Sequence, residues 1–174
     1  MELNVHYNDV NASHILGEAL REIIYQDNGK IVIVCIGSDR VIFDSLGPLV
    51  GTLLLDIGIS VPIFGSLEDP INSENIEIRI EEIQTNFPNH KVVVIDSGLG
   101  EKLDVGLIVV KDGSIKPGAG IDKNILPVGD YVIVPIIEGY EMSEYLSELQ
   151  IRLRYIFKLA IMIRDSFKYA MVRA

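Results

Sequence analysis

The sequence predicts an α/β fold: three layers, α/β/α, around a mixed and mostly parallel five-stranded sheet. Three observations predict it. Apolar stretches of strand length alternate with stretches of helical periodicity, the pattern of a layered α/β domain. Lys30 to Ile36 is apolar with too little alternation for a wet face, so this strand lies inside a sheet covered on both sides. Only Ser97 to Asp104 separates the strand ending at Asp96 from the one starting at Val105, and a parallel crossover needs about a dozen residues or more. If those two strands are neighbours, Val105 to Val110 runs antiparallel to the rest.

Taken in order, Ala12 to Tyr25 places Ile15, Leu16, Ala19, Ile23 and Ile24 at helical spacing, with Asn11 or Ser13 as cap. Asn28-Gly29 ends that helix as a turn, and Lys30 to Ile36 is the first strand. Asp44 or Ser45 caps a helix to about Ile57, with Pro48 in its first turn, where a missing N–H does no harm. Ser60 to Phe64 is a short strand and residues 65–72 a loop. Ser73 to Phe87 is an amphipathic helix (Ile76, Ile80, Ile83, Phe87) stopped by Pro88. Lys91 to Asp96, Val105 to Val110 and Tyr131 to Ile136 complete the strands. A long helix from about Ser143 closes what reads as one domain, residues 1–174. Its stripe of Leu146, Leu149, Leu153, Ile156, Ala160, Ile163 and Phe167 is joined by off-stripe Ile151, Tyr155, Leu159 and Met162. The pattern favours a helix packed on the sheet with surplus apolar surface; a homo-oligomer interface is the sharper alternative.

Composition narrows the partners. Nearly half the residues are hydrophobic (48%) and mean hydropathy is +0.31, against disorder. A net charge of −10 repels a phosphate backbone, so nucleic acid is not an expected partner. The N-terminal residues lack the pattern of a signal peptide, and no apolar run approaches the roughly 20 residues of a membrane span. A soluble, cytoplasmic protein without a membrane partner is expected. Cys35, the one cysteine, forms no intramolecular disulfide and sits in an apolar strand as a small core residue.

Two strands end in acids or run into them: Lys30–Ile36 leads through Gly37-Ser38-Asp39 to Asp44, and Lys91–Ile95 ends at Asp96. Alone, Asp44 reads as a helix cap worth ~1 kcal/mol, and Asp96 as a turn residue in Asp-Ser-Gly. Together they gain meaning, because parallel strands deliver their C-terminal ends to one sheet edge. Close carboxylates cannot both ionise easily; one pKa rises and the other falls, which suits general acid–base work on a water attacking a carbonyl. The pair could equally hold a metal, although two acids without a histidine are a thin ligand set for a transition metal; no metal and no cofactor are assigned. No phosphate-binding glycine motif occurs. Ser38 and Asp39 in the turn, and Lys116 and Gly118 in the glycine-rich loop 113–120, are the candidate substrate-binding residues; a solvated turn and a plain loop are their structural counterparts. His6, His14 and His90 are scattered and read as ordinary histidines.

These same residues carry a family resemblance. The runs Ile36-Gly37-Ser38-Asp39-Arg40 and Asp44-Ser45-Leu46-Gly47-Pro48-Leu49-Val50-Gly51 resemble the sporulation proteins of the YyaC type, a domain of unknown function sometimes called a spore protease. More distantly they are similar to the germination protease of spore-forming bacteria. Gly65-Ser66-Leu67-Glu68-Asp69-Pro70, Val94-Ile95-Asp96 with Gly98-Leu99-Gly100, Lys116-Pro117-Gly118-Ala119-Gly120 and Val128-Gly129-Asp130 extend the likeness from about Ile31 to the C-terminal helix. The resemblance implies the fold of the germination protease and the hydrogenase-maturation endopeptidases, a three-layer domain on a mixed sheet. It implies catalytic roles for Asp44 and Asp96, a protein or peptide substrate such as small acid-soluble spore proteins, and a place in the forespore or mother cell. The histidine with which the maturation endopeptidases bind nickel has no match here. A peptidase acting through the two acids is therefore the first expectation. A non-catalytic binding or regulatory protein on the same fold is the second, favoured by bulky Val41-Ile42-Phe43 before Asp44, which would narrow a cleft.

Overall fold

The computed structural model describes residues 1–26, 28–117, 127–141 and 151–172. The chain begins with β1 (Glu2–His6), α1 (Ala12–Gln26) and β2 (Ile31–Cys35). A 3₁₀ turn (Ile42–Asp44), α2 (Leu46–Asp56), β3 (Ile63–Phe64) and α3 (Ile76–Asn86) follow. Then come β4 (Lys91–Ile95), β5 (Gly98–Gly100), β6 (Leu107–Asp112), β7 (Tyr131–Gly139) and α4 (Leu153–Met171). The strands form one sheet in the order β1-β6-β7-β4-β2-β3, with β5 also paired to β7. β3, β2, β4 and β7 are mutually parallel, while β6 runs antiparallel to both β7 and β1. The mixed sheet is as expected, but among the described residues it has seven strands rather than five.

Both added strands have a physical reason for being hard to read. β1 is a short edge strand in which exposed Glu2, Asn4 and His6 alternate with half-buried Leu3 and buried Val5, and β5 is Gly-Leu-Gly, a composition depleted in strands. The antiparallel strand is also displaced from its expected neighbour. β7 lies between β4 and β6, so the short connection after Asp96 crosses over a strand that the chain supplies later.

Burial divides the molecule into layers. Ile31, Ile33 and Cys35 of β2 face a core shared with α1, α2 and α4, while Val32 and Val34 face the opposite core with Ile76 and Ile83 of α3. Every residue of β2 is fully buried, which explains its lack of alternation. Cys35 is one of them; burial pushes its thiol far above the ordinary range and leaves it unreactive.

Two helix starts differ from expectation. α3 begins at Ile76, because Asn72 and Asn75 instead close a turn: the Asn72 N–H donates to Asn75 Oδ1, and the Glu74 N–H to Asn72 Oδ1. α4 begins at Leu153, after an extended Arg152 (φ −79°, ψ 130°), and Ser143, Leu146 and Leu149 lie outside the described residues. The wide apolar face of α4 has an intrachain explanation. α4 packs against both α1 and α2, so the off-stripe Leu159 and Met162 are buried along with Ile156, Ile163 and Phe167. No described helix is long and apolar enough to cross a membrane.

Candidate active site

β2 and β4 are adjacent and parallel, in register from Ile31↔Lys91 to Cys35↔Ile95. At their C-terminal ends the chain departs in opposite directions. From β2 it passes through α2 to β3 on one side; from β4 it continues along β7 on the other. A parallel sheet opens a crevice at such a switch point, outside the strand ends. Asp44 follows β2 into this crevice and Asp96 follows β4.

Local backbone geometry holds Asp44 there. Gly37 has φ +143°, and a Cβ on it would lie 2.1 Å from the Asp44 carbonyl oxygen, so only glycine lets the turn fold back this tightly. The Ser38 N–H donates to that carbonyl at 2.9 Å. Asp44 ends the 3₁₀ turn and does not cap α2. Ser45 occupies the N-cap position, but its hydroxyl turns back to donate to the Ile42 carbonyl at 2.7 Å. The capping role expected of Asp44 or Ser45 is thus absent, and the Asp44 carboxyl is left for other work. Asp96 sits one residue beyond β4, where its N–H donates to Ile133 of β7. Ser97, which sequence reasoning passed over, joins the two segments: its Oγ donates to the Phe43 carbonyl at 3.1 Å. The Asp-Ser-Gly run was the available signal, read only as a turn.

Electrostatics follow from this placement, with both acids half-buried. Burial raises the Asp44 pKa from 3.8 to about 6, opposed by the Ser38 backbone N–H. Asp96 rises further, to about 8, first through burial and then through the negative charge of Asp44 beside it, opposed by the Ser97 N–H. The expectation that one value would fall is therefore corrected. Desolvation outweighs the hydrogen bonds at both carboxyls, and their mutual repulsion adds to Asp96. Burial and the mutual repulsion thus favour keeping a proton on the pair, more strongly at Asp96 than at Asp44.

The other candidate residues divide. Ser38 belongs to the site through its backbone, while its Oγ accepts the Arg40 N–H at 3.3 Å. Asp39 is exposed in the same turn. Lys116 is not brought to the acids by any described contact. It is exposed next to Ile115, which pairs with Val128, and this segment is tied to the start of β4 by the Asp130 N–H donating to Val92. Gly118 lies outside the described residues. Val41 and Ile42 point outward, 43% and 45% exposed, while Phe43 packs onto the core, so the first two line the outside of the turn. None of the histidines adjoins the pair: His6 contacts Tyr7, His14 contacts Tyr169 and His90 contacts Phe87. Among the described residues, no three His, Cys, Asp or Glu side chains gather as a metal site. A hollow of about 490 Å³ lined by Met1, Leu3, Ile15, Ala19 and Tyr25 lies between β1 and α1, at the far edge of the sheet.

With this geometry in place, comparison with known proteins is informative. The family described as "Protein of unknown function (DUF1256)" matches residues 4–166. The "Uncharacterized protein YyaC" of Bacillus subtilis (strain 168) is 34% identical over 163 residues, spanning 92% of this chain and 80% of its own. Among solved structures, the NiFe hydrogenase maturation protease HycI from Thermococcus kodakarensis KOD1 aligns with a TM-score of 0.45 and 17% identity, covering 86% of this chain and 99% of HycI. On the match to residues 4–166 and the identity to YyaC, the chain belongs to the DUF1256 family.

Proposed function

We propose that Asp44 and Asp96 form an acid–base pair that hydrolyses an amide bond in a protein or peptide substrate of the sporulating cell. What supports this reading is the placement of two acids just beyond the adjacent parallel strands β2 and β4, where burial raises both carboxyls and the charge of Asp44 raises Asp96 further. The Asp44 carboxylate takes a proton from water as the water oxygen bonds to the carbonyl carbon, and Asp96 gives its proton to the carbonyl oxygen. Collapse of the resulting gem-diol breaks the C–N bond. The proton held by Asp44 then passes to the leaving nitrogen, and a diol hydroxyl returns a proton to Asp96. Atoms and charges balance, and both acids are restored.

Small acid-soluble spore proteins and a broad peptide library are the substrates to try. Wild type should cleave with a bell-shaped pH profile, rising through about 6 as Asp44 ionises and falling through about 8 as Asp96 loses its proton. Asp44→Asn and Asp96→Asn should each lower the rate by roughly 10²–10⁴-fold. A wild type that cuts nothing, or two variants with full activity, removes the proposal.

A second reading, a binding protein without turnover, is favoured by the exposure of Val41 and Ile42 on the turn that carries Asp44. It holds if wild type binds peptides without cutting them and a Val41→Ser, Ile42→Ser variant binds at least tenfold more weakly.

A further inference from the structure

The strand that carries Asp96 resumes beyond it. β4 pairs with β7 up to Ile95↔Ile133, and β5 takes up the same offset at Gly98↔Ile136 before shifting by one residue at Leu99↔Glu138. The break falls opposite Val134 and Pro135, and Pro135 has no N–H to give a ladder. β5 is thus a continuation of β4 that projects past the acids. Its other edge is the one that β4 uses to pair with β2. β2 leaves that edge after Ile36: the Ile36 N–H still donates to the Ile95 carbonyl of β4, but Ile36 also bridges to Ile71, and the next N–H, that of Gly37, donates to the Ile71 carbonyl on the β3 side. Among the described residues β5 pairs with β7 alone.

We propose that this outer edge of β5 is a docking strand for an extended polypeptide segment, which adds to the sheet beside Asp96 in the position vacated by β2. That the docked segment is also the substrate rests on the hydrolytic reading above; the docking itself needs no turnover. The chemistry of the edge selects the occupant. Gly98-Leu99-Gly100 bears one side chain larger than hydrogen, so what the edge offers is almost entirely main-chain N–H and C=O. The ligand complementary to such a row is another extended backbone. A strand of this length spans roughly 10 Å, enough to hold a segment in line with the acids without reading much of its sequence. Leu99, half-buried, is the one side chain positioned to discriminate. A folded protein would have to present a loose terminus or loop to enter.

The test separates docking from catalysis. Asp44→Asn protein, which holds peptides uncut, is titrated with randomised decapeptides followed by fluorescence anisotropy. Amide exchange at Gly98, Leu99 and Gly100 is then compared with and without the tightest binder, and each backbone nitrogen of that peptide is methylated in turn. Docking predicts at least tenfold slower exchange within 98–100, and at least tenfold weaker binding on methylation at alternate positions only. Failure of every peptide to bind at millimolar concentration, binding with exchange at 98–100 unchanged, or uniform tolerance of methylation overturns it. If peptides protect β5 but wild type cuts none of them, docking stands and the hydrolytic reading falls. Cleavage by wild type without protection of β5 has the reverse meaning.

Discussion

At pH 8, Asp96→Asn should melt about 5–10 °C above wild type while losing activity. The sign follows from linkage. Asp96 binds its proton far more tightly when folded, about 8 against an ordinary 3.8, so the native state holds more protons than the unfolded chain across that window. Wild-type stability is therefore fully supported near pH 4 and declines as pH climbs towards 8, where a buried carboxylate must exist beside Asp44. Asparagine has similar size and no charge to bury, so it removes that slope. After discounting for partial solvent access, the gap at pH 8 should be roughly 2–4 kcal/mol. It should shrink towards zero at pH 4. Thermal melts of both proteins at the two pH values decide the matter. A gap independent of pH, or an asparagine variant less stable at pH 8, would show that the charge is not under strain. Asp44→Asn should behave in the same direction with a smaller effect, because its shift is smaller.

Gly47→Ala should be strongly destabilising, although it only adds one methyl to a helix. In an ordinary helix the change would help by up to about 1 kcal/mol, since alanine is the better helix former. Here a Cβ would sit 2.0 Å from the Ile36 carbonyl oxygen and 2.7 Å from its carbon. Those atoms are backbone at the end of a fully buried strand, so neither partner can swing aside. Lifting α2 off the sheet would open the core around Leu46, Val50 and Leu54, all completely buried. We expect a net loss of about 3 kcal/mol or more, overpacking exceeding propensity. Denaturant titration measures it. A neutral or stabilising alanine would mean that α2 is not seated on the strand end as described.

The two acids were legible because each follows an apolar strand, and strand ends are where a parallel sheet places its chemistry. That they meet depended on a strand order that no local pattern contains: β4 next to β2, with β3 beyond. The cap assigned to Asp44 or Ser45 failed because the 3₁₀ turn holds Ser45 at φ −81°, ψ −5°, where its hydroxyl donates back to Ile42 and accepts no N–H from α2. Lys116 looked close to the site only because a glycine-rich loop can reach an anion; that its neighbour Ile115 pairs with Val128, and Asp130 bonds to Val92, are tertiary facts. β1 did alternate, but Glu2 to His6 is so short that its pairing with β6, far along the chain, is what defines it. The first strand, by contrast, could be read in full, since burial on both faces leaves its mark on every residue.

The pairing of α1 with α4 has a consequence during synthesis. α1 leaves the ribosome well before α4, yet Leu16, Leu20 and Ile23 find part of their cover on that later helix. β1 likewise waits for Leu107–Asp112 before its edge is satisfied. Until those later segments are made, α1 has an uncovered apolar face and β1 an unpaired edge, while β2, α2, β3, α3 and β4 emerge behind them. The acid-bearing strands can pair before the layer that finally encloses them exists, so the order of synthesis leaves apolar surface uncovered until α4 is made.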